Sequence, residues 1–129
     1  MTEGIEAVTT AALGLALDVA SLRHQVISAN IANANVVGYA PQSVDFESQL
    51  DEARRDLDGG NRLSSSSLSD VIPRLSLALD TNPLGGTPKV MLDVEMAHLA
   101  QNGVQYQALV AGLSKHYAIL SAAVGDGKK

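Results

Sequence analysis

Three histidines, His24, His98 and His116, are the residues of this 129-residue chain best suited to binding a metal or moving a proton. His98 and His116 stand 18 residues apart in a segment of helical periodicity. Five helical turns put them on one face but about 27 Å apart along the axis, so they cannot share a metal. Glu95 and His98, at i and i+3, can touch, as many surface pairs on helices do. One such pair supplies neither the three or four ligands of a zinc site nor a nucleophile. The chain has no cysteine, which excludes disulfides, thiolate metal sites and cysteine nucleophiles together. Serine is abundant, but no Gly-x-Ser-x-Gly elbow occurs, and the run Ser64 to Ser67 has no histidine near it in the chain. "DGGNR" and "LGGTPK" match neither the phosphate-cradling P-loop nor the dinucleotide fingerprint. No catalytic, cofactor-binding or metal-ligating residue is assigned, and no enzymatic activity is expected.

The composition narrows the partners in the same direction. A net charge of −5 and a single phenylalanine leave neither a basic patch for a phosphate backbone nor the aromatics of a large ligand pocket. Nucleic acid is not an expected partner. Residues 1–60 carry nine acids against three bases (−6), whereas 61–129 carry five against six (+1). The longest early uncharged run, Ala7 to Leu17, is shorter than the roughly 20 apolar residues that cross a bilayer. It is preceded by Glu3 and Glu6 rather than by bases, the wrong sign for a signal peptide. No transmembrane segment is expected, and an exported protein of this kind would need another route.

With little chemistry to position, the elements themselves become the subject. From Val8 the apolar residues recur as Val8, Ala12, Leu15, Val19, Leu22, Val26 and Ala29, alternating spacings of four and three. This is a heptad seam on one long helix. Leu13, Leu17, Ala20, Ile27 and Ile31 form a second seam on an adjoining face, interrupted only by His24. The C-terminal stretch repeats the design through Leu92, Met96, Leu99, Gly103, Tyr106, Val110, Leu113, Tyr117, Leu120 and Val124. Beside it lies a face of small residues, among them Ala97, Ala100, Ala108, Ala111, Ala118 and Ala122, that lets another backbone approach closely. The second helix is expected to start near Asp93 as a cap and to fray at Gly125-Asp126-Gly127. Gly103 inside it costs about 1 kcal/mol against alanine, which close packing would explain.

Between the helices, Val44 to Leu57 fits a short amphipathic helix stopped by Gly59-Gly60, and "NRLSSSSLSD" reads as a loop. Leu75, Leu77 and Leu79 alternate with smaller residues and suggest a short strand before the "DTNPLGG" turn. The fold class is therefore all-α: two long terminal helices pairing as a coiled coil, with a short helix and an irregular middle containing a short β segment. The organisation is one structural domain in three parts, 1–58, a Ser/Gly-rich connector 59–89, and 90–129.

The segment joining the first helix to the middle, "ISANIANANVVGYAPQSVDFESQL", has a physical reading of its own. Asn33 falls on the first seam, where a polar side chain tends to fix register or partner choice, and Asn30 lies on a nearby face. Asn35 and Gly38 come where the pattern stops, both being residue types that tolerate left-handed backbone, and Pro41 prevents resumed helix. Tyr39 and Phe46 are anchors that can fold the loop back. An ordinary helix cap with two aromatic core residues is the plainer alternative.

This segment resembles the N-terminal signature of bacterial flagellar rod, hook and hook-associated proteins, in which a long helix leads into an "ANNIAN…N…GY" motif. Asn30, Ile31, Ala32 and Asn33 match its core, Asn35 the following asparagine, Gly38-Tyr39 the closing pair, and Asp45 and Phe46 the acid and aromatic beyond. "LDVEMAHLAQNGVQYQALVAGLSKHYAIL" resembles the C-terminal pattern of the proximal rod subunit, through Glu95, Met96, Asn102, Tyr106, Gln107, Ala108 and Leu109. Where many relatives have proline before the Gly-Tyr pair this chain has Val37, and from about Arg55 to Lys89 nothing matches.

The resemblance implies a structural subunit of the basal-body rod, its proximal part, whose terminal helices pair and pack with neighbours into a hollow shaft that transmits torque. The expected seam contacts are Val8, Leu15, Val19, Leu22 and Val26 on the first helix and Leu92, Met96, Leu99, Tyr106, Val110, Leu113, Tyr117 and Leu120 on the second. Implied partners are further copies, other rod subunits, and the ring and export-gate proteins at the base, with type III export and no cleaved signal. A more distal rod subunit and a soluble helical adaptor or export chaperone remain the alternatives.

Overall fold

The computed structural model describes residues 2–48, 51, 55, 74–77 and 89–127. Helix α1 spans Thr2–Ala32, strand β1 Gln42–Asp45, strand β2 Arg74–Leu77 and helix α2 Leu92–Asp126. At 31 and 35 residues the two helices are about 47 and 52 Å long. They run antiparallel, since Thr10 meets His116, Ala20 meets Asn102 and Asn30 meets Glu95. The pair of long packed helices is the architecture the heptad spacing predicts.

Helix α2 starts one residue ahead of the expected cap. Met91, in extended backbone, is its N-cap and gives no side-chain bond, while Asp93 and Glu95 sit inside the first turn. Carboxylates there favour the positive end of the helix dipole without capping it. The far end stops at Asp126, before Gly127, within the expected glycine stretch.

The middle differs from the expected helix over 44–57. Val44 and Asp45 belong to β1, which pairs antiparallel with β2 in the register Gln42 with Leu77, Ser43 with Ser76, Val44 with Leu75 and Asp45 with Arg74. Helical backbone begins only at Glu47 and is present at Ser48, Asp51 and Arg55. Asp45 starts it by accepting bonds from the Ser48 N–H at 3.3 Å and the Ser48 hydroxyl at 2.7 Å, the role of a helix-initiating acid. Strand β2 agrees with the alternation at Leu75 and Leu77. The Gly59-Gly60 stop, the serine-rich stretch and the "DTNPLGG" turn lie outside the described residues.

The core sits on α1. Val19, Val26 and Val44 are buried together, with Leu15, Leu22 and Phe46 packed around them. The central part of the first seam is thus covered by β1 and Phe46. Helix α2 takes the adjoining face, where Ala20 is buried and bonded to Asn102. Each valine buried here is worth about 1.5–3 kcal/mol against leaving it in water.

On α2 the residues at least half-buried are Glu95, Leu99, Asn102, Gly103, Leu109, Leu113, His116 and Leu120. The inner contact is therefore rotated back by about one residue from the apolar seam. It keeps Leu99, Leu113 and Leu120 and replaces Met96, Val110 and Tyr117 by Glu95, Leu109 and His116. A count of apolar positions passes over the polar side chains at the contact. The displaced residues form an outward stripe at seven-residue intervals, with Met96, Val110, Tyr117 and Val124 exposed by 52%, 41%, 52% and 67%. Leu92 and Tyr106 are exposed as well. Gly103 falls at the stripe's seven-residue spacing but is half-buried at its inner edge, and a Cβ built there meets nothing within 4 Å among the described residues. Close packing within the chain is thus not the reason for that glycine.

Both long helices are apolar enough, by length and composition, to pass for membrane spans. Their best stretches average hydropathies of 1.5 and 1.2, with 11% and 0% of those residues buried within the chain. The short run Ala7 to Leu17 understates this, because the apolar pattern continues past Asp18 and Arg23. A helix that buries itself among other helices has the same composition.

Candidate functional site: the Asn30 clasp and the outward face

The most constrained polar residue of the described chain is Asn30, only 1% exposed. Helix α1 ends two residues later, and the backbone leaves it through a turn held by the bonds Asn33 N–H to Ala29 O, Ala34 N–H to Ile31 O, Val36 N–H to Asn33 O and Tyr39 N–H to Val36 O. Gly38 has φ of 81° and is the one described residue in left-handed backbone. An L side chain costs about 1–2 kcal/mol in that region, which gives glycine its place before Tyr39. Asn35 sits in the turn without left-handed backbone.

The turn returns the chain onto Asn30. Its Nδ2 donates to the Gln42 carbonyl at 2.8 Å and to Glu95 Oε2 at 3.2 Å. Its Oδ1 accepts from the Gln42 N–H at 3.0 Å and from the Tyr39 hydroxyl at 3.2 Å. Two donors and two acceptor lone pairs are the whole capacity of a carboxamide, and all four are used. One side chain therefore ties together α1, the turn, β1 and α2. Asn33, the asparagine on the first seam, does something different: its Nδ2 donates back to the Ala29 carbonyl at 2.8 Å and closes the last turn of α1.

Two further polar contacts bind the elements. Arg23 on α1 pairs with Glu47 just after β1. Burial works to raise the Glu47 pKa, but the hydrogen bond from Arg23, with backbone N–H donors and the Arg23 charge, outweighs it and the carboxyl titrates below its usual range. Asn102, 5% exposed, donates from Nδ2 to the Ala20 carbonyl at 2.8 Å across the helix pair. Its Oδ1 has no partner among the described residues.

The structure brings together the motif residues Asn30, Tyr39 and Glu95, and places Phe46 in the core beside Val19, Leu22 and Val26. Asn33, Asp45 and Gly38 shape local backbone. Ala32, Asn35, Met96, Val110 and Tyr117 lie exposed, outside the clasp. Gln42 was missed by sequence reasoning, and nothing in its type or spacing singles out a residue that acts through its peptide unit. Among the described residues no group of His, Asp and Glu is arranged to hold a metal.

Fold and site define a helical hairpin whose organised polar residues hold elements in place and whose second helix has a long apolar face left exposed among the described residues. The pattern of the family described as "Flagella basal body rod protein" matches residues 12–39, which run from the first seam through the clasp turn. The chain is 31% identical over 116 residues to the flagellar basal body rod protein FlgB of Bacillus subtilis, covering 88% of this chain and 90% of that protein. It is 33% identical over 113 residues to FlgB of Borreliella burgdorferi, covering 78% and 83%, and 28% identical over 110 residues to FlgB of Escherichia coli, covering 77% and 80%. The chain belongs to the flagellar basal body rod protein family.

Proposed function

We propose that this chain is a structural subunit of the proximal rod of the flagellar basal body, acting through helix packing and not through a reaction. The observation that carries the reading is the outward stripe of α2 in a member of this family. Met96, Val110, Tyr117 and Val124 repeat at the heptad interval, yet they stand exposed with no cover among the described residues. Neighbouring subunits are the natural cover, at about 25 cal/mol for each Å² of apolar surface removed from water. The stripe with the small residues beside it forms the intersubunit contact, and the clasp keeps α1, the turn, β1 and α2 in one fixed relation so that load passes through side chains.

Partners on this reading are copies of the same chain, other rod subunits, and the ring and export-gate proteins at the rod base. Its place is the basal-body rod outside the cytoplasmic membrane, reached by type III export without signal cleavage. Deleting the gene and complementing it with tagged copies tests the assignment. Motility returns with the native chain, and the tag is found in purified basal bodies at the base of the rod. An intact mass including Met1 or beginning at Thr2 in those particles supports export without cleavage, and a chain shortened by 15 or more residues, the least that signal cleavage removes, contradicts it.

A further inference from the structure

Asn102 and Gly103 form the one Asn-Gly dipeptide of the chain. Asparagine is among the thermolabile side chains of proteins, and a following glycine, lacking Cβ, leaves its carboxamide carbon open to attack by the next main-chain nitrogen. In that attack the Gly103 nitrogen bonds to Asn102 Cγ and gives its proton to solvent, while the side-chain nitrogen takes a proton from water and departs as ammonia. Water then opens the cyclic imide at either carbonyl and leaves an aspartate or an isoaspartate. The folded hairpin opposes each part of this. Both residues lie inside α2, so the Gly103 N–H is engaged with the carbonyl four residues back, and ring closure needs a backbone twist at Asn102 that helical residues do not have. The nitrogen that must leave, Asn102 Nδ2, is bonded to the Ala20 carbonyl of α1 at 2.8 Å, and the residue is 5% exposed. The reaction therefore waits for α2 to open, and Gly103 weakens the helix at that point.

We propose that Asn102 is a deamidation site guarded by the α1–α2 pairing, and that its conversion is a one-way mark on hairpins that have opened. The product does not fit back into its place. An ionised aspartate has no N–H to donate, so it sets a carboxylate against the Ala20 carbonyl where little water reaches it. Arg23, which lines the same groove as Asn102, is held by Glu47. An isoaspartate lengthens the main chain by one carbon and breaks the helical repeat. The proposal is independent of the rod assignment.

The test incubates the full chain at mildly alkaline pH, in buffer and in concentrated urea, and then digests it with trypsin. Peptide 90–115 contains Asn102 as its single asparagine, and the mass increase of an amide turned into an acid is located to residue 102 by fragmentation. Conversion is about tenfold or more faster in urea, where the hairpin is open, than in buffer. Asn30→Ala loosens the hairpin without touching the dipeptide, so it speeds conversion in buffer and leaves the rate in urea unchanged. The Asn102→Asp chain melts about 5 °C or more below the native one. Equal rates in buffer and urea, no conversion in urea, a buffer rate that Asn30→Ala does not raise, or an Asn102→Asp chain that melts with the native one overturns the proposal.

Discussion

The carboxamide of Asn30 and the main chain of Gln42 pair reciprocally, Asn30 Nδ2 donating to the Gln42 carbonyl at 2.8 Å and the Gln42 N–H donating back to Asn30 Oδ1 at 3.0 Å. A side chain on a helix thus occupies the place that a neighbouring strand would take. It ends β1 on that edge and anchors the strand over the valines of α1, while the second Nδ2 bond reaches Glu95 of α2.

Replacing Asn30 should therefore cost more than an average core substitution. Asn30→Ala leaves the Gln42 N–H and C=O and the Tyr39 hydroxyl without their partner around a site that is itself 1% exposed, and a loss of about 2–4 kcal/mol is expected. Asn30→Asp keeps the two acceptor bonds but sets a carboxylate against Glu95 Oε2. It should be less stable than Asn30→Ala at neutral pH and recover on acidification. Urea denaturation of both variants at pH 7 and pH 4 checks the order.

Two glycines, one in the turn after α1 and one inside α2, should respond in opposite directions. Gly38→Ala forces a Cβ into left-handed backbone, where φ is 81°, and should lose about 1–2 kcal/mol. Gly103→Ala meets open space in the isolated chain and should gain about 1 kcal/mol. If Gly103 marks close approach by a neighbouring subunit, that stabler chain will swim poorly in a motility plate. Melting temperatures and swarm diameters read the two effects separately.

The Arg23–Glu47 pair gives the fold a small dependence on acid. Since the Glu47 carboxyl titrates below its usual range in the folded chain, its contribution is present above the unfolded pKa and disappears as pH falls through the lower folded value. The Glu47 side chain is 67% exposed, so salt will screen the effect. A stability profile between pH 6 and pH 3 should flatten slightly in Arg23→Gln, and more so at low ionic strength.

Charges placed on the two faces should separate folding from assembly. Val110→Asp and Tyr117→Asp alter exposed residues of α2 and should leave the helical signal and melting of the purified chain unchanged while abolishing motility. Leu22→Asp instead enters the cluster of Val19, Val26, Val44 and Phe46 and should destabilise the chain itself, by about 3 kcal/mol or more. Normal swimming by both α2 variants would remove the outward stripe from the interface.

The long helices were legible because an apolar residue every three or four positions over 20 or more residues has few other meanings. What covers each seam was not. The Val19–Leu22–Val26 line is as regular as any coiled-coil seam, yet it meets a strand and a phenylalanine from the same chain. On α2, Glu95, Asn102 and His116 lie toward the partner helix, and hydropathy gives such residues no weight. The asparagines were noticed as a group, but only tertiary contacts distinguish Asn30, which reaches three other elements, from Asn33, which bonds to its own helix. Strand β1 was hidden because Phe46 also opens the helical spacing Phe46, Leu50, Ala53 and Leu57, which drew the preceding residues into the expected helix.

From Met96 to Ser114 helix α2 has no aspartate, glutamate, lysine or arginine. Contacts made through that length have almost nothing for dissolved ions to screen. A shaft whose joints are built this way would hold equally well in fresh water and in brine, leaving its cohesion indifferent to the medium in which the cell swims.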